Sequence, residues 1–415
     1  MKDRTIVSGR RAAAGFTLVE LMVAMVGGMF VSIAVFALAK HASGFSLKEA
    51  RLADATMQSI VGFERLKAEI SRAGFLSTPN IRNNRSGLCG APLAIGFPVG
   101  LRDLSSVIID NVPVPQLSSE MTLNGIAPKR VTIAGSLASS DQFRALNIAQ
   151  GNPVQVFLDP NSQGMVNIGY PPANDPATLS RVFGTGRALR IVDDQGRVQF
   201  ASIAGVTGGP NPTITLGASP APIFRSGSTL LCGISGVGDD FVNVVNIARY
   251  DIQNLNNSTL FPGFRHMFRG GPTYEATRRE LTRQEVDVSG NLIAGTTELI
   301  AEYAVDLGFS LLVAPSTTSA LVRASSDGDI ASYAGPPAAR GAQRGPQQIR
   351  AIHAWLSVRS QEADRTTNLS LTTTAPGPNR LRISVHPTSA ALPPFARLRT
   401  VQATIPLNNQ AKVSW

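Results

Sequence analysis

Residues 15–39 read GFTLVELMVAMVGGMFVSIAVFALA, an apolar run in which Glu20 is the single ionisable side chain. Phe16 to Ala39 makes 24 residues, and at about 1.5 Å per residue a helix of that length crosses roughly 30 Å of hydrocarbon. A carboxylate in such a run is costly without a partner, so anchoring alone does not explain Glu20. Upstream lie Lys2, Arg4, Arg10 and Arg11 against one acidic residue, Asp3. A basic leader stays on the cytoplasmic side and orients the chain with its N-terminus inside. A secretory signal would have a shorter core and a small-residue exit on its far side. Here Gly15 lies on the near side, so cleavage after it leaves the span attached.

Gly15-Phe16-Thr17-Leu18-Val19-Glu20-Leu21-Met22 resembles the processing site of type IV prepilins and type II secretion pseudopilins. The resemblance implies a leader peptide, residues 1–15, removed after Gly15 by a prepilin peptidase that also N-methylates Phe16. It further implies that Glu20 recruits the subunit into a filament. A neighbouring subunit's Phe16 amine would relieve the buried charge, because intramembrane charges pair.

Beyond the span, 16–39, the helical signal continues through 40–75. Phe45, Leu52, Ile60, Phe63 and Ile70 recur at near-helical steps, and no proline occurs before Pro79. The pattern predicts one helix from Phe16 to about Arg72, its second half amphipathic and packed on a sheet, with Gly74 at its end. Gly27-Gly28 permits a bend or close helix contact within the span.

Residues 76–415 are rich in Gly, Pro, Ser, Thr and Asn, with short alternating runs between turn signals, which predicts a β-dominated head and an α+β class overall. The clearest expected strand is Leu299–Val313, with Tyr303, Val305, Leu307, Phe309, Leu311 and Val313 on one face. Ile352, Ala354, Leu356 and Val358 form a second, and Val401, Ala403, Ile405 and Leu407 a third. Further expected strands are Val107–Asp110, Arg130–Ile133, Val154–Leu158, Ala188–Val192, Val198–Ile203, Thr213–Leu216, Val242–Ile252 and Leu381–Val385. The head is long for one domain, so an inserted β subdomain is expected within about 100–235. Ala314–Gln348, with four prolines, reads as a mobile loop at a sheet edge.

Arg249–Ile252, Glu280–Arg283, Leu299–Leu307, Ile349–Arg359 and Leu398–Asn409 resemble, in that order, the PilW family of type IV minor pilins. The J-type minor pseudopilin of type II secretion is similar in the same order. The likeness implies a pilin fold and low-copy assembly at a filament tip or priming complex. Partners would be other minor and major pilins met through the N-terminal helix, in the inner membrane before assembly and at the cell surface after it. The family's closing Leu-Arg-Asn stands here as Leu407-Asn408-Asn409.

Cys89 and Cys232 both lie in the part expected to face the periplasm or exterior, where disulfides persist. One bridge is the simplest use of them; two buried thiols are the alternative. Net charge is +10 for the whole chain. Arg265, Arg269, Arg278, Arg279 and Arg283, interleaved with Phe264, Phe268 and Tyr274, can either contact DNA by stacking and phosphate binding or form an arginine-rich surface loop. A tip adhesin or DNA-binding pilin is a further reading, in which residues 80–240 or the loop 314–348 make contact with a surface. Asp327-Gly328-Asp329 superficially matches a calcium loop but lacks its closing glutamate, and reads as an exposed turn. Asp193-Asp194 and Asp239-Asp240 read as turn and strand-end residues. No G-x-S-x-G, H-E-x-x-H, C-x-x-C or Walker loop is present, and His41, His266, His353 and His386 are far apart in sequence. The expectation is a structural protein with no catalysis, cofactor or metal.

Overall fold

The computed structural model describes residues 17–83, 97–118, 121–122, 124–170, 175–225, 233–256, 261–267, 277–315, 320–337, 340, 344–360, 380–382 and 395–411. The chain forms a long N-terminal helix followed by a β-dominated antiparallel head, an α+β arrangement, and divides into compact units at Met1–Asp54 and Ala55–Trp415.

Helix α1 runs Leu18–Ser71 without interruption. In the first unit its apolar part, Leu18–Ser43, has a mean hydropathy of 2.4, and every side chain in it is exposed. Such a surface is stable in hydrocarbon and costly in water. In the second unit the helix from Ala55 onward buries Phe63, Leu66 and Ile70, followed by Ala73. Ile60, expected on this face, is 47 % exposed. At 3.6 residues per turn it sits about 100° from the centre of the buried stripe, and Ser59, 1 % exposed, takes the inward position instead. Gly74, with φ +75°, ends the helical path and donates its N–H to the Ala134 carbonyl at 2.9 Å. A left-handed glycine at this point is the expected helix terminator.

The strands of the head are β1 (Val107–Asn111), β2 (Lys129–Gly135), β3 (Phe143–Ala149), β4 (Gln155–Leu158), β5 (Ala188–Val192), β6 (Val198–Thr207), β7 (Thr213–Leu216), β8 (Val237–Gln253), β9 (Glu280–Val286), β10 (Glu298–Ala301), β11 (Ala304–Val313), β12 (Val322–Ala324), β13 (Ile349–Arg359), β14 (Arg380–Arg382) and β15 (Phe395–Pro406). All named pairings are antiparallel. A ten-stranded sheet carries the order β1-β2-β8-β3-β4-β7-β6-β5, with β9 beside β8 and β10 beside β9. A five-stranded sheet has the order β12-β11-β13-β15-β14.

Strand β8 connects two different structures. Its first half pairs with β3 on one edge and with β5 on the other, Val242 lying opposite Phe143 and Ile191 at once. Because β3-β4-β7-β6-β5 are themselves sequentially paired, this double pairing closes a six-stranded barrel. Phe143, Val156, Ile191, Ile203, Ile214, Val242 and Val244 belong to one buried cluster with Leu179 and Phe183 from the helix Pro176–Val182 and the turn after it. The second half of β8 pairs with β2 and β9, and its Tyr250 and Ile252 join the main core. That core gathers α1 residues Phe63, Leu66 and Ile70 with side chains of β1, β2, β9, β11 and β13.

The expected strand over Leu299–Val313 is interrupted. Residues 302–303 turn, with Tyr303 at φ +52°, and divide it into β10, which pairs with β9, and β11, which pairs with β13. Two guanidiniums hold the Tyr303 ring in this strained conformation, Arg278 at 4.4 Å and Arg359 at 5.0 Å from its centroid. A bulge between Ala304 and Asp306 then shifts the alternation. Leu307, Phe309, Leu311 and Val313 face the main core, whereas Val305 packs with Ala396 in a separate cluster.

Residues 314–348, expected as a loop, contain β12 and a helix, Asp327–Ala334. Ser326 caps that helix by accepting from the Asp329 N–H at 3.1 Å, and Ile330, Tyr333 and Ala334 are buried in the main core. Three inward apolar residues in one short turn of sequence outweigh the proline-rich composition. Asp327-Gly328-Asp329 is the first turn of this helix, and Asp327 pairs with Lys129 at 2.9 Å.

Gly62 brings α1 close against the sheet: a β-carbon built there would lie 2.2 Å from the Ile300 carbonyl oxygen. Alanine favours a helix interior over glycine by about 1 kcal/mol, so an exposed Gly→Ala change would stabilise. Here overpacking, typically about 1–3 kcal/mol, opposes it. Gly62→Ala is expected to lower the melting temperature of the head, read by thermal circular dichroism of the full chain. A rise in melting temperature would show that the helix and β10 are not in this contact.

Candidate functional site

The first described residue, Thr17, caps α1. Its hydroxyl accepts from the Glu20 N–H at 3.2 Å, while Glu20 Oε2 accepts from the Thr17 N–H at 2.9 Å and from its hydroxyl at 3.0 Å. This reciprocal arrangement is a capping box, with two otherwise unmet backbone donors satisfied at the helix start. The Thr-x-x-Glu spacing is the signal for it, although the reading of Glu20 as an isolated intramembrane charge passes over Thr17. The carboxylate therefore has a local partner, held one residue from Phe16. Phe16 and Gly15 lie outside the described residues.

One turn further, Met22, Val23, Val26, Gly27 and Phe30 line a shallow apolar groove of about 390 Å³. A β-carbon on Gly27 or Gly28 would meet nothing within 4 Å, and Ser32 donates to the Gly28 carbonyl at 2.8 Å. Small residues on an exposed helical face allow another helix to approach closely.

Residues 10–36 match the family described as the prokaryotic N-terminal methylation motif. The motif marks a type IV pilin-like protein, either a pilin or a pseudopilin, and the one apolar helix of membrane-spanning length among the described residues, Leu18–Ser43, is consistent with a membrane anchor. No curated protein and no solved structure matches the chain.

The arginine-rich segment is largely internal where it is described. Arg278 pairs with Glu280 and with Glu302 at 3.0 Å, and Arg279 donates to the carbonyls of Gln116 at 2.6 Å and Leu117 at 3.1 Å. Arg283 binds Glu69 of α1 at 2.8 Å and Glu298 at 3.3 Å. Burial disfavours the Arg283 cation, but the Glu69 carboxylate outweighs that effect and raises its pKa. These three side chains are buried and thus structural. Arg269, Phe268 and Tyr274 lie outside the described residues, as do Cys89, Cys232 and His386. His353 is hydrogen-bonded to Thr404 at 3.1 Å. Among the described residues no three of His, Cys, Asp and Glu converge as metal ligands.

Two carboxyls in β8 are strained electrostatically. Asp240 is 1 % exposed, with no hydrogen-bond partner on either oxygen, and burial together with Asp193 and Asp194 pushes it up to about 6. Asp193 serves the turn after β5, accepting from the Gln195 N–H at 3.0 Å and the Arg197 N–H at 2.8 Å. Asp251 is likewise raised to about 6 by burial, which outweighs the nearby Arg130 and Arg249, with Asp110 adding to the rise. Arg130 is engaged by Asp110 at 2.7 Å.

A carboxyl whose pKa is higher folded than unfolded holds its proton more tightly in the native state. Its contribution to stability is full below about pH 4 and is lost as pH rises through about 6. Asp251→Asn is expected to stabilise the head at pH 7.5 by on the order of 2–3 kcal/mol and to have little effect at pH 4, measured by urea unfolding of the full chain at both values. Equal effects at the two pH values would show that Asp251 is not protonated in this way.

Proposed function

We propose that the protein is a minor pilin of a type IV pilus. It is processed after Gly15, N-methylated at Phe16, held in the inner membrane with its N-terminus cytoplasmic, and drawn by α1 into a filament tip or assembly-priming complex. The observation that carries this reading is the methylation motif over 10–36 continuing into a fully exposed apolar helix. A helix with no buried residue from Leu18 to Ser43 has its surface available first to lipid and then to neighbouring subunits. Glu20, already bonded to Thr17, stands where a neighbour's Phe16 amine would add an ion pair in a low-dielectric setting. The role is assembly, with no reaction catalysed. The bulk of the head, 15 named strands in two sheets, supports low copy number, since such heads pack poorly at the spacing of a major shaft subunit.

Surface filaments sheared from cells and examined by mass spectrometry are expected to contain this chain at low abundance, beginning with N-methylated Phe16. The processed chain confined to the envelope would instead identify a type II secretion pseudopilin, and an intact leader would refute both. Glu20→Ala is expected to leave processing and the melting of the head unchanged while reducing recovery in filaments at least tenfold, by quantitative peptide counting.

A further inference from the structure

Three arginines from separate segments converge beside β1. Arg82 lies just after the bridge between Asn80 and Ser105, Arg102 ends the short helix Val99–Arg102, and Arg340 comes from the segment between Ala334 and β13. Asp103 is the carboxylate bonded to two of them: Arg82 Nη2 lies 2.5 Å from Oδ1, and Arg102 Nη2 lies 3.5 Å from Oδ2. Arg340 pairs with no carboxylate among the described residues. Both of its terminal nitrogens donate to the Ser105 hydroxyl, at 3.1 and 3.2 Å. The Nε of each of the three arginines is buried without a hydrogen-bond partner. Burial and the positive charge of Arg82 together lower the Arg340 pKa to about 10, with Asp103 opposing.

Among the described residues, three guanidiniums thus stand against one carboxylate and one hydroxyl. The Arg82 and Arg102 side chains are 33 % and 39 % exposed, so the cluster opens to solvent. Guanidinium forks match oxyanions bidentately, and a tetrahedral anion offers enough acceptors for three of them where a carboxylate offers two oxygens. We propose that Arg82, Arg102 and Arg340 form a binding site for a phosphate-class oxyanion on the head. This site is separate from the assembly helix and does not depend on which filament system the protein serves.

The test uses the full chain in a maltoside detergent, which carries no phosphate. Inorganic phosphate is titrated against chloride at constant ionic strength, with affinity from calorimetry and the head's melting temperature as a second readout. Saturable binding and a raised melting temperature are expected. Arg102→Met and Arg340→Met should each weaken affinity about tenfold or more, the effect of one charge-assisted hydrogen bond, while Arg181→Ser, at an exposed position away from the cluster, leaves it unchanged. If Arg340→Met fails to fold, Arg102→Met decides. No saturable response in the wild-type chain, or wild-type affinity in Arg102→Met, would overturn the proposal. Displacement of bound phosphate by glycerol 3-phosphate would assign a phosphomonoester source, and displacement by an oligothymidylate a nucleic-acid phosphodiester.

Discussion

The head depends on the hydrogen bonding of both edges of β8. A strand of 17 residues must satisfy its backbone along its full length, and here two different structures do so in succession. At Phe241 and Val242 the strand is paired on both sides within the barrel, and from Asn246 onward it is paired with β2 and then β9 beneath the helix. The even-numbered side chains serve both: Val242 and Val244 fill the barrel, and Tyr250 and Ile252 fill the main core. A one-residue slip would bring Asn243 and Asp251 into those cores and move the apolar set out. The register of one strand therefore couples two hydrophobic clusters that are otherwise distinct.

Helix α1 meets this framework through shape and through charge. Gly62 lets the backbone reach Ile300, and the Arg283 guanidinium, 6 % exposed, is shared between Glu69 on the helix and Glu298 on β10. Removing one partner of such a pair leaves a buried charge, which is far costlier than the pair is favourable. The same logic accounts for Arg278 and Arg359, whose cations cover the Tyr303 ring at the turn between β10 and β11. Arginines that look in the sequence like a nucleic-acid surface are here the ties between helix, sheet and turn.

The electrostatics of the head are uneven. Asp240 in β8 has both carboxyl oxygens buried without a donor, whereas Arg82, Arg102 and Arg340 each bury an Nε without an acceptor. Buried polar groups without partners are uncommon in stable folds. In β8 protonation relieves the deficit only as pH falls below about 6, a recourse open to a carboxyl and not to a guanidinium.

Much of this was legible in the amino-acid order. The methylation motif over residues 10–36 and the apolar helix are local signals, and local hydropathy alone decides where a helix can enter lipid. The strand runs Ala188–Val192, Thr213–Leu216 and Ile349–Arg359 carry their own alternation and fold as such. What alternation could not convey was the break at Tyr303, the barrel closed on β8, the helix at Asp327–Ala334 and the inward turn of Arg278, Arg279 and Arg283. Each is set by groups distant in sequence: two arginines over a ring, a strand shared by two sheets, a core waiting for Ile330 and Tyr333, and a carboxylate on a helix more than two hundred residues away. Sequence by itself determined the apolar helix, the methylation motif and the β character of the head, because those depend on neighbours along the chain. Tertiary structure alone decided which charges are buried in pairs and which buried polar atoms are left without a partner, because that depends on neighbours in space.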